Sequence, residues 1–217
     1  MYKVLQENIR LSAPDIAEIY RYAGGRGEID SQTAALLEVC LQESESQITP
    51  HVCYCFLPAE QAIESFGKDS TLLKSRLCGA DKVLLFAATL GLGIDRLIRK
   101  YTCVSPSKAL YFQAIGAERI ESVCNAFCQT ISARLQAQGQ TLGARFSPGY
   151  GDFPLQAQTQ IHALLNTYKQ IGVGLNESLL MSPSKSVTAL CAVGKEERKI
   201  RDGCQACTLE NCAFRTR

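Results

Sequence analysis

Arg145-Phe146-Ser147-Pro148-Gly149-Tyr150-Gly151-Asp152-Phe153-Pro154 is the most informative stretch of this 217-residue chain. Its composition suits a ligand loop. Two prolines restrict the unbound backbone and so lower the ordering cost of binding. Gly149 and Gly151 allow close approach of the main chain to a bound molecule. Arg145 offers a planar fork that can grip a carboxylate with two hydrogen bonds, and Tyr150 adds a flat face with a hydroxyl. The same residue types also describe a tight turn carrying a surface arginine, because Gly and Pro clusters mostly mark turns.

Outward from this loop the chain alternates irregularly between helix and strand patterns. On the N-terminal side, Pro106 opens a long helix to about Gln138, and a strand is expected over 141–146. Further upstream, Lys82 to Ala88 is a short apolar run suited to a buried strand. Thr89-Leu90-Gly91-Leu92-Gly93 then leads into a helix from Ile94 to about Tyr101. Arg96 stands where a third glycine would complete a phosphate-binding fingerprint, which favours a strand-to-helix turn over an anion cradle. Helices are expected over 13–22, from Asp30 or Ser31 to Glu45, and over 70–78, and a strand over 51–57. Downstream, 156–170 reads as one helix, and 178–181 and 186–193 as two strands joined through Ser182-Pro183-Ser184-Lys185. Strands and helices do not alternate strictly, so the class is α+β.

Composition narrows the function. Hydrophobic residues make up 46% and charged residues 20%, with a net charge of +2, as in an ordinary globular protein without a nucleic-acid-binding stripe. The start of the chain is charged and no apolar run is long enough for a bilayer, so a cytosolic protein with no membrane or nucleic-acid partner is expected. Eleven cysteines in a reducing compartment are not a disulfide framework. Cys40, Cys124 and Cys128 fall in helical patterns and read as small buried hydrophobes.

The pattern Arg145-x-x-Pro148-Gly149-Tyr150 resembles the signature of the activation domain of vitamin B12-dependent methionine synthase. Two other segments resemble the same family: the helix carrying Glu118, Glu121, Asn125 and Phe127, and Leu175-x-Glu177-Ser178-x-x-Met181-x-Pro183-x-x-Ser186-Val187. Three ordered matches are far more specific than one. The resemblance implies an α+β fold with a mostly antiparallel twisted sheet and flanking helices. It also implies that the loop binds S-adenosylmethionine, with Arg145 on the carboxylate and Ser147, Pro148, Gly149 and Tyr150 lining the ligand. Glu118, Glu121, Asn125 and Asp152 are candidates for its amino group. The Asp-Trp-x-Pro-Phe-Phe start of the fused family form is absent, and the first hundred residues look more like the free-standing branch.

On this reading residues 1–200 form the activation-domain-like unit. A helical part spans 1–60, the core spans 80–194 with the loop at 145–154, and a cysteine-rich tail spans 201–217. The chain lacks the cobalamin-binding Asp-x-His-x-x-Gly and any homocysteine or folate module. It is therefore expected to act in trans on cobalamin presented by a methionine synthase or another corrinoid protein, with a reductase as a further candidate partner. The sulfonium already makes the methyl electrophilic, so no general base is required, and His51 and His162 fall in no catalytic pattern. A non-catalytic corrinoid-protein scaffold and an iron–sulfur electron-transfer protein are the rival readings.

The tail sequence Cys204-x-x-Cys207-x4-Cys212 has metal-ligand spacing, suited to an iron–sulfur cluster or zinc. Cys191, Cys53 and Cys55 are candidates for a fourth ligand; free thiols or a disulfide are the alternative. Protein purified anaerobically should carry zinc or iron by metal analysis, with visible absorbance in the iron case. Colourless, metal-free protein would rule the site out.

Overall fold

The computed structural model describes residues 2–195. Fifteen elements follow one another along them: β1 (Leu5–Glu7), α1 (Ile16–Tyr22), α2 (Ser31–Glu45), β2 (His51–Pro58), α3 (Ala59–Gly67), α4 (Thr71–Leu77), β3 (Lys82–Thr89), α5 (Gly93–Tyr101), α6 (Pro106–Gln136), β4 (Thr141–Leu142), α7 (Ala157–Leu165), α8 (Thr167–Ile171), β5 (Gly174–Leu175), β6 (Met181–Ser182) and β7 (Ser186–Gly194). β1, β2, β3, β7 and β4 form, in that order, a sheet that is antiparallel throughout.

β3 lies between β2 and β7, and every residue from Val83 to Thr89 is buried. A strand covered on both faces needs no polar alternation, which explains its unbroken apolar run. Its side chains divide by parity. Leu84, Phe86 and Ala88 join a core with α1, α2, α5 and α6, whereas Val83, Leu85 and Ala87 join a second core with α3, α4, α7 and α8. Phe127 of α6 anchors the first core, with its ring centroid 4.9 Å from Phe86 and 5.2 Å from Tyr54. Truncating a phenylalanine so placed costs about 3–5 kcal/mol.

Local signals set the helix starts. Asp30 accepts from the backbone N–H groups of Gln32 and Thr33 at 3.0 and 2.9 Å, Ser70 accepts from Leu73 at 3.0 Å, and Pro106 occupies the first turn of α6. Each meets donors that a helix leaves unpaired or omits one of them.

The structure departs from the sequence expectations at several places. The expected helix over 156–170 is two helices, because Asn166 takes a left-handed conformation with φ 49°. The expected strand over 141–146 shortens to Thr141–Leu142, followed by an isolated bridge at Phe146. The expected strand over 178–181 shortens to Met181–Ser182 and pairs with β5 in a separate ribbon, while β7 pairs with β3. At the Thr89–Gly93 turn, Asp95 of α5 accepts hydrogen bonds from the Ser184 N–H, at 2.9 Å, and the Ser184 hydroxyl. A carboxylate thus occupies the first turn of α5, in keeping with a structural turn. Among the described residues no helix is long and apolar enough to cross a membrane.

His162 lies in the second core. The Thr167 hydroxyl donates to Val173 O at 2.8 Å, so its oxygen accepts from His162 Nδ1–H at 2.7 Å. Nε2 is then the unprotonated nitrogen; it is buried and has no hydrogen-bond partner among the described residues. Burial holds the ring's pKa below its ordinary 6.5. Folding therefore favours the neutral ring, and the unfolded chain takes up the proton first as pH falls. The stability this contributes should be complete above about pH 6.5 and decline below it, through the depressed folded value. Urea unfolding between pH 7.5 and 5 should show His162→Asn with a flatter decline than wild type.

Candidate functional site

The loop is positioned by its first residues. Gly143 N–H donates to Ala192 O at 2.8 Å, and Phe146 and Leu190 exchange backbone hydrogen bonds of 3.0 and 2.8 Å. Phe146 is thereby directed into the second core, beside Phe153 with ring centroids 6.0 Å apart. Arg145, one residue earlier, faces α6. There its Nη2 donates to Glu121 Oε2 at 2.9 Å and to Asn125 Oδ1 at 2.8 Å. Glu121, Asn125 and Cys128 are spaced four and three residues apart, which puts them on one stripe of α6.

The turn itself is held from within and below. Phe153 N–H donates to Tyr150 O at 2.9 Å and Gly149 N–H to Phe153 O at 2.8 Å. Gly149 and Gly151 have φ of 90° and 56°, conformations that other residues adopt only under strain. Their first role is thus to form the turn. Asp152 does not reach the cleft. Its carboxylate accepts from Ser70 Oγ, from Thr71 N and Oγ1, and from Leu72 N, with the Ser70 and Leu72 bonds at 2.8 and 3.0 Å. These bonds, led by those from Thr71 and Ser70, hold its carboxyl well below the usual carboxylate range. It fastens the loop to the start of α4 and so is removed as a candidate for a ligand's amino group.

The result is a cleft of about 770 Å³ whose lining includes Glu121, Cys128, Arg145, Ser147, Tyr150 and Gly151. Its size suits a small organic molecule. Arg145 is three-quarters buried, and Tyr150 is 70% exposed at the mouth. Val187 and Ala189 of β7 also line the cleft, so the Ser186–Val187 end of the third sequence match borders the site. Pro148 is buried beneath the loop and Gly149 is exposed at its tip; neither lines the cleft.

Glu118 is placed elsewhere. It is buried one turn before Glu121, paired with Arg119 through Nη2 at 2.6 Å. Arg119 in turn donates to Ser12 O and Ala13 O at 2.7 and 3.2 Å. This pair clamps the N-terminal segment onto α6. Cys128, expected to be a small buried hydrophobe, is only partly buried and lines the cleft; its spacing from Glu121 and Asn125 was the available signal for that position. Cys204, Cys207 and Cys212 lie outside the described residues. Of the fourth-ligand candidates, Cys53 and Cys55 are buried in the second core and Cys191 in the first. Among the described residues no group of three or more His, Cys, Asp or Glu side chains could hold a metal ion.

The model of a protein family described as vitamin B12-dependent methionine synthase, activation domain, matches residues 72–201, more than half of the chain. The chain belongs to this family. The matched span contains α6, the Arg145 loop and β7, and with them every residue that lines the cleft. Among solved structures, the crystal structure of the MetH reactivation domain bound to AdoHcy shares the fold, with a TM-score of 0.64 at 14% identity over 91% of this chain and 80% of that one. The family's antiparallel sheet with flanking helices is thus the architecture seen here. No curated protein sequence matches the chain.

If Asp152 is the loop's anchor, Asp152→Ala should lower the melting temperature and Asp152→Asn, which keeps one acceptor, should lower it less. Limited proteolysis should show new cleavage within 147–154 in the alanine variant first. Unchanged melting and protection would remove Asp152 from this role.

Proposed function

We propose that the chain binds S-adenosylmethionine in the Arg145 cleft and supports reductive methylation of oxidised cobalamin on a separate methionine synthase or other corrinoid methyltransferase. The observation that carries this reading is a largely buried guanidinium beside a braced Pro-Gly turn, in a cleft of small-molecule size, in a chain of the activation-domain family. The AdoHcy named for the similar MetH domain supports the choice of ligand.

The donor set fits an amino acid zwitterion. Arg145 supplies N–H donors for the carboxylate. Glu121 and Asn125, which hold Arg145 in the free cleft, are acceptors for the ammonium group. Ser147 and Gly151 offer backbone close to the ligand, and Tyr150 covers the mouth. S-adenosylmethionine brings its own activated methyl group, so the chain's contribution is positioning and exclusion of water. This fits a cleft whose lining contains no histidine. The corrinoid, like the ligand, is a substrate presented to this surface.

A corrinoid-protein scaffold that no longer donates methyl groups is the second reading. It is favoured by Arg145 being already engaged by Glu121 and Asn125. Calorimetric titration of S-adenosylmethionine, with and without a candidate corrinoid protein, separates the two. Binding should weaken roughly ten- to hundredfold in Arg145→Ala, the range for losing hydrogen bonds to a charged group. Glu121→Gln should weaken binding if Glu121 holds the ammonium and tighten it if Glu121 only competes for Arg145. No binding by wild type under either condition would favour the scaffold.

A further inference from the structure

Three cysteines converge beside Arg145. Cys124 and Cys128 lie one turn apart on α6, and Cys191 lies on β7; all three belong to the first core or pack against it. Cys124 and Cys191 are fully buried, whereas Cys128 is partly buried and lines the cleft. Val187 and Ala189 share Cys191's face of β7 by parity and line the cleft with Cys128. The cleft floor is therefore the seam between Cys128's turn of α6 and Cys191's face of β7. Across that seam the Cys128 and Cys191 thiols influence each other's ionisation.

The three sulfurs are not equivalent. The neighbouring Cys191 thiol holds the Cys128 thiol below its ordinary pKa against the opposing effect of burial, and the Arg145 guanidinium adds to the lowering. The nearby Cys128, with burial, pushes Cys191 well up. Burial pushes Cys124 up to about 12. Only Cys128 combines access from the cleft with a stabilised thiolate, the two properties that make a cysteine reactive.

We propose that Cys128 is a thiol-modification site in the floor of the cleft, with Cys191 as its resolving partner, and that its substrates are small-molecule disulfides. The Cys128 thiolate attacks one sulfur of a disulfide RS–SR. A Cys128–SR bond forms, the reagent S–S bond breaks, and one RS⁻ leaves and takes up a proton. Cys191 then gives up its proton and attacks the Cys128 sulfur, forming the Cys128–Cys191 bond and expelling the second RS⁻. The two protein thiols lose two electrons and the reagent is reduced to two thiols. The product ties α6 to β7 directly beneath Arg145. The proposal holds whichever molecule occupies the cleft.

The test uses the full chain, reduced, exchanged into neutral buffer and treated with oxidised glutathione. It is then quenched in acid and digested with trypsin without reduction. Cys128 lies in the tryptic peptide 120–134 and Cys191 in 186–195, so peptide mapping separates them from every other cysteine except Cys124, which fragmentation resolves. The expected product is 120–134 linked to 186–195 through Cys128. Cys191→Ala should instead retain glutathione on Cys128. Brief iodoacetamide labelling of the reduced wild type should modify Cys128 on the order of tenfold faster than Cys124. Any of three results overturns the proposal: a Cys128 that stays a free thiol, a wild-type mixed disulfide that is never resolved, or a link through Cys124.

Discussion

The pair of backbone hydrogen bonds between Phe146 and Leu190 sets the parity of everything that follows β4. With the bridge in this register, Phe146 enters the second core and Arg145 turns to α6. A slip of one residue would bury the guanidinium among Phe153, Leu190 and Ala192 and leave a phenylalanine facing Glu121, since side chains alternate from face to face. The loop's chemistry therefore rests on hydrophobic burial: Phe146 and Phe153, 6% and 1% exposed, hold the chain in the only register that presents the arginine. Asp152 then pins the far end of the loop to α4, so the turn is held at both ends.

The arginine's electrostatics are balanced for exchange. Arg145 is largely covered, while Glu121 keeps nearly half of its side chain in solvent. An ion pair with one partner so exposed is screened and worth at most about 1 kcal/mol. A ligand carboxylate that reaches the guanidinium with two oxygens can replace it at little loss, and the released Glu121 can turn to a neighbouring ammonium. The same guanidinium lies near the α6 thiols, so one cation influences both the ligand side and the thiol side of the cleft.

Much of this was legible in the residues. The apolar run 82–88, the proline that opens α6 and the Asp30 cap each act locally, and the corresponding elements begin within a residue or two of expectation. The Arg145 loop and the helix carrying Glu121 and Asn125 could be associated because both resemble the same family. What could not be read depends on contacts between distant segments. β1 is three residues long and is a strand only because β2 offers it an edge. α3 follows β2 without a linker, starting at the Pro58 that ends the strand. Asp152 read as a ligand residue, yet Ser70 and Thr71, 82 and 81 residues upstream, bind it beneath the loop. Glu118 shares the α6 stripe with Glu121, yet the N-terminal segment covers it and gives it a different task.

That covering has its own consequence. Arg119 reaches residues 12 and 13 through their carbonyl oxygens, and a carbonyl is the same in every amino acid. The clamp reads the path of the chain and is blind to its side chains. Ser12 and Ala13 can therefore drift in sequence while the segment stays in place, whereas Arg119 and Glu118 cannot drift without releasing it. Evolution can redecorate this surface of the molecule, next to the α6 end of the cleft, without rebuilding its support.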